Sequence, residues 1–84
     1  MFIYAFTFRS FTAAQSGRNV LQQLQIDAQL QRAPKRLTEQ GCGYVLRVAA
    51  PSGASAAEAL RAYGAPFVQI YRCFPNGLCQ EAEL

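Results

Sequence analysis

The 84-residue chain is 51% hydrophobic with a formal net charge of +3, which suits one small globular domain and leaves no room for a second. Its cations are scattered from Arg9 to Arg72 rather than clustered, a distribution that disfavours a nucleic-acid surface and is accounted for equally by an anionic ligand, an acidic partner or solubility. With no His among its residues, the chain holds no Cys/His or Ser/His/Asp nucleophile, which removes most hydrolytic enzymes.

"MFIYAFTFRS" at the start is apolar, but it lacks a basic leading region and a small-residue cleavage site, and Arg9 interrupts it too early for a membrane span. The chain is therefore read as soluble, unexported and cytoplasmic. Its three Cys are an odd number, which fits free thiols in a reducing compartment better than a complete disulfide framework. Three Cys without a His also disfavour a metal site, and no cofactor is called for.

Phe2, Tyr4, Phe6 and Phe8 alternate with Ile3, Ala5 and Thr7, the period of a strand that is apolar on both faces and hence central. Ser10 or Thr12 can then cap a helix, and Thr12 with Gln15 has capping-box spacing. Ala13, Gly17, Val20, Leu21 and Leu24 recur on the inner side of that helix, with Gln15, Arg18, Gln22 and Gln23 outside. "IDAQLQR" alternates apolar and polar residues as a half-buried edge strand, which Pro34 ends before the polar loop "APKRLTEQG".

"GYVLRVAA" reads as the third strand. "PSGASAAEALRAYGAP" is punctuated as a second helix: Ser55 and Glu58 make a capping box, Ala56, Leu60 and Tyr63 share a face, Gly64 suits the position after the helix, and Pro66 blocks continuation. "FVQIYR" is the fourth strand, and "CFPNGLCQEAEL" a turn-rich, acidic tail. The order strand, helix, strand, strand, helix, strand predicts an α+β ferredoxin-like split βαβ sandwich (βαββαβ) over residues 1–73, with residues 74–84 as a C-terminal tail. Right-handed crossovers give an antiparallel sheet of order 4-1-3-2 with both helices on one face.

That plan returns the loop before the third strand to the sheet edge where the first helix begins. Cys42, bracketed by Gly41 and Gly43, is thereby placed near Arg9, Ser10, Thr12 and Arg36. A helix N-terminus and neighbouring cations favour a thiolate, and flanking glycines would leave its sulfur uncovered. The other reading of the same residues is that the glycines only shape a loop and Cys42 is a small buried hydrophobe. Cys73 lies toward the opposite edge, too far from Cys42 for a disulfide. Cys73 and Cys79 flank the tight-turn signal Asn76-Gly77, which brings them within reach of each other, although the inferred compartment argues against a bridge. Aromatic residues in the first strand suggest base stacking, but the third strand offers only Tyr44, and core packing explains them better.

The ordered pattern "TFRSFTAAQSG", "LQQLQIDAQLQRAP" and "GCGYVLRV" resembles the selenium/sulfur (Se/S) carrier protein-like family over roughly residues 4 to 72. Phe8, Ser10, Ala14, Pro34, Leu37, Cys42, Gly43 and Arg47 carry the likeness. The resemblance implies a non-enzymatic carrier that holds sulfur or selenium as a persulfide or selenopersulfide on Cys42 and is loaded by a donor such as a cysteine desulfurase. Two departures are a loop from Pro34 to Cys42 that is about one residue longer and Phe11 and Thr12 where polar residues often follow the Ser. The competing expectation is a non-catalytic interaction module in which Cys42 is structural and the edge strand pairs with a partner or a second copy. Redox sensing through Cys73 and Cys79 is a third.

Overall fold

The computed structural model describes the backbone of residues 1–84 and every side chain except those of Arg36, Glu39 and Gln40. The elements in chain order are β1 (Ile3–Phe8), α1 (Phe11–Gln23), β2 (Ala28–Arg32), a 3₁₀ segment (Lys35–Gln40), β3 (Tyr44–Ala49), a 3₁₀ turn (Ala50–Ser52), α2 (Gly53–Ala62), β4 (Ile70–Cys73) and β5 (Cys79–Ala82). All pairings are antiparallel, in the order β2-β3-β1-β4-β5. Read from the other edge, the first four strands follow the expected 4-1-3-2.

The correction lies in the tail. Residues 79–82 form a fifth strand against β4, so the expected four-stranded sandwich gains a strand and β4 is internal. The turn that sends the chain back is built by Asn76 and Gly77: the Leu78 amide donates to Asn76 Oδ1 at 3.0 Å, the Gly77 amide to the Phe74 carbonyl at 2.9 Å, and Gly77 has φ 92°. This turn sets Cys73 directly opposite Cys79.

Alternation in β1 separates two cores. Tyr4, Phe6 and Phe8 point to the helix side, where they pack with Leu46, Val48, Leu21 and Leu60. Ala5, with Val45, Leu37 and Tyr71, forms a smaller cluster on the opposite face. The helices approach the sheet through glycine. A Cβ on Gly17 would come within 3.0 Å of Phe8 Cζ, and one on Gly53 would collide with the Tyr4 ring.

Ser10 is the N-cap of α1, accepting from the Ala13 amide at 3.1 Å, so the first of the two proposed caps is used and Thr12 lies inside the helix. At α2 the expectation fails. The helix starts at Gly53, ahead of Ser55, so Ser55 lies inside the first turn rather than at the cap, and Ser52 makes no side-chain cap bond. Its other end falls at Ala62, which leaves Tyr63 63% exposed instead of on the inner face, while Gly64 takes the left-handed conformation as anticipated. Leu24, placed on the inner face of the first helix, is likewise 46% exposed because that helix ends one residue before it. Among the described residues, no helix is long and apolar enough to cross a membrane.

Candidate functional site around Cys42 and the opposite sheet face

Three segments meet at one end of the sheet. The Gly43 amide donates to the Phe8 carbonyl at 3.1 Å, and the Gly43 carbonyl accepts from the Ala33 amide at 3.0 Å, which pins the start of β3 between the ends of β1 and β2. Phe8 is followed at once by Arg9 and the Ser10 cap, so Cys42 does lie at the sheet end where α1 begins. Arg9 reaches over the loop: a Cβ on Gly41 would sit 3.2 Å from Arg9 Nη1.

The two glycines differ. Gly41 closes the 3₁₀ segment with φ 81°, donating to the Thr38 carbonyl at 2.9 Å, a left-handed geometry that an L-side chain adopts only at a cost. Gly43 has no atom within 4 Å of the place a Cβ would occupy and no positive φ. Only the first glycine is therefore required by the backbone.

Cys42 itself is a free thiol and 1% exposed. Of the two readings of this loop, the uncovered sulfur is thus corrected and the small buried hydrophobe agrees with the structure. The left-handed turn at Gly41 directs the chain inward, and the thiol becomes part of the packed interior. Of the residues expected to support a thiolate, Arg9, Ser10, Gly41 and Gly43 lie at this end; Thr12 is exposed in the first turn of α1, and the side chain of Arg36 lies outside the described residues. Composition did not single out the aromatic pair Phe11 and Tyr44, whose rings meet edge to face with centroids 5.6 Å apart. It joins the first turn of α1 to the first residue of β3, the two elements that flank Cys42. Phe11 as a departure from the family pattern was the available signal.

The segment that leads to Cys42 is anchored from the other side. Leu37 is 5% exposed in the Ala5–Val45–Tyr71 cluster, and its amide donates to the Pro34 carbonyl at 2.8 Å. Beside it, the open face of the sheet carries a groove of about 260 Å³ whose floor includes Ile3, Ala5 and Val45 and whose walls include Pro34, Leu37 and Pro75. Cys73 and Cys79 line this groove as a disulfide, with Cα atoms 4.1 Å apart. The bridge forms despite the argument from compartment, because the turn sets the two residues directly opposite each other.

The family model described as Putative Se/S carrier protein-like matches residues 4–72. The chain belongs to this family. The matched span contains Cys42 and its glycines and stops just short of Cys73. No curated protein and no solved structure matches the chain. The family's own description connects it with selenium and sulfur, and Cys42 is the one cysteine that the family span covers.

Proposed function

We propose that this protein is a carrier of sulfur or selenium that holds the chalcogen on Cys42 as a persulfide or selenopersulfide. The observation that carries this reading is the family match across the Gly41–Cys42–Gly43 loop, joined to the position of that loop beside Arg9 and the start of α1. Loading needs only a nucleophilic sulfur. The Cys42 thiolate attacks the outer sulfur of a donor persulfide, a new S–S bond forms, the donor's own S–S bond breaks, and the donor leaves as its thiolate. A cysteine desulfurase fits as donor because it presents such a persulfide.

Burial shapes the mechanism. A residue that is 1% exposed reacts only after local opening, and this reading assigns the opening to the segment from Pro34 to Gly43, which carries Cys42 and is anchored at Leu37. Closed again, the same packing shields a persulfide from water-borne thiols that would strip it. The carrier is therefore expected to load slowly and hold its cargo well.

Intact-mass measurement after incubation with a desulfurase and cysteine tests this. The Cys73→Ser/Cys79→Ser variant should gain one sulfur atom, and the further change Cys42→Ala should abolish the gain; an unchanged mass in the first, or an equal gain in the second, overturns the reading. The same 1% exposure favours a second reading, a protein-interaction module with a structural Cys42 that pairs through the edge strand β2. It predicts no sulfur gain together with concentration-dependent self-association through β2, measured by sedimentation.

A further inference from the structure

Cys73 and Cys79 stand outside the family span, and the carrier reading makes no use of them. Their placement is nonetheless that of a reactive group. Both residues are partly exposed, both line the groove on the open sheet face, and Arg47 lines the same groove. The register fixes these three on one side of the sheet: Cys73 is opposite Ile3 on β1, Arg47 is opposite Ala5, and Ile3 and Ala5 are two residues apart on the same strand. A second, adjacent hollow is also lined by Arg47 and Cys73.

Strand spacing and rise put the Cα atoms of Arg47 and Cys73 about 10–12 Å apart, a gap that the long arginine side chain and a small ligand close between them. Arg47 is exposed, and Gln31 Oε1 is 3.5 Å from its Nη1, a contact too long to hold the guanidinium in place. The described lining of the groove carries no carboxylate, and Asp27, which shares a neighbouring hollow with Arg47, lies outside it. An apolar floor, one cation and a disulfide in about 260 Å³ are the features that a small organic thiol with a negative charge would meet.

From this arrangement we infer that the Cys73–Cys79 disulfide is a thiol-exchange site for a low-molecular-weight thiol bearing a carboxylate, with Arg47 binding the carboxylate. The incoming thiolate attacks one of the two sulfurs, forming a mixed disulfide, and the Cys73–Cys79 bond breaks to release the other sulfur as a thiolate. A second molecule of the same thiol attacks the mixed disulfide and leaves as the oxidised dimer, so two thiols are oxidised and one protein disulfide is reduced to two thiols. The inference does not depend on the role of Cys42.

The test uses the full chain with Cys42→Ala, so that every adduct belongs to Cys73 or Cys79 and the outcome is separate from that of the carrier experiment. The oxidised protein is treated with 3-mercaptopropionate or with cysteamine at equal thiolate concentration, and mixed disulfide and reduced protein are followed by intact mass. 3-Mercaptopropionate should react at least about threefold faster, the size expected for one partly screened charge pair. Arg47→Gln should remove the preference, and Arg18→Gln, an equal charge change on the exposed side of α1, should leave it. Equal rates for the two thiols, absence of adduct under native conditions, a preference that survives Arg47→Gln, or one lost equally with Arg18→Gln would each overturn the inference.

Discussion

The two faces of the sheet hold their residues by different means. On the helix side, Phe6, Phe8 and Leu46 of the sheet are wholly buried against Leu21 of α1 and Leu60 of α2, in a cluster that also takes in Tyr4 and Ile70. On the other side, Ala5, Val45 and Tyr71 make a small cluster with Leu37 of the 3₁₀ segment, with neither α1 nor α2 packed on it among the described residues, and the disulfide groove lies beside it. The difference teaches that one strand can back a thick, helix-covered core on one side and a thin, groove-bearing layer on the other. The closed face supplies the apolar burial that holds the fold, and the open face leaves its cluster and the disulfide beside an accessible groove.

Truncations should expose that asymmetry. Phe6→Ala removes a ring from the closed face and should cost about 3–5 kcal/mol by urea unfolding, near the limit of what so small a domain withstands. Leu37→Ala should cost about 2 kcal/mol, at the low end for a buried leucine because its site adjoins an open groove, yet it should speed alkylation of Cys42 more than Phe6→Ala does when both are compared under strongly native conditions. The reverse order of labelling rates would break the idea that the Leu37 segment controls access.

A finer comparison concerns the glycine pair. Gly41→Ala must place a side chain at φ 81° and should cost about 1–2 kcal/mol. Gly43→Ala meets open space and should stay within about 0.5 kcal/mol. Equal losses in thermal or urea unfolding would contradict the different roles assigned to them.

Most of the strand order was legible because its signals are local and periodic: the aromatic alternation of β1, the apolar and polar alternation of β2, the glycine after α2. What escaped was set by contacts distant in sequence. α2 begins at Gly53 because its backbone packs on the Tyr4 ring, and no capping pattern near Ser55 could reveal that. β5 spans only Cys79–Ala82, too short for a period to show, and its strand character comes from pairing with β4. At the candidate site, proximity of Cys42 to the start of α1 followed from topology alone. Its burial did not, since glycines on either side of a residue say that the chain bends there without saying which way the side chain turns.

Gly17 and Gly53 carry a practical consequence for anyone who would harden this protein. Replacing helical glycine with alanine ordinarily gains stability by restricting the unfolded chain. Here that route is closed at Gly53, where a methyl would overlap the Tyr4 ring, and narrowed at Gly17, where Phe8, Leu60 and Leu46 would each have to give by a few tenths of an ångström. Gains must be sought on outward-facing polar positions, where added helix propensity leaves these contacts undisturbed.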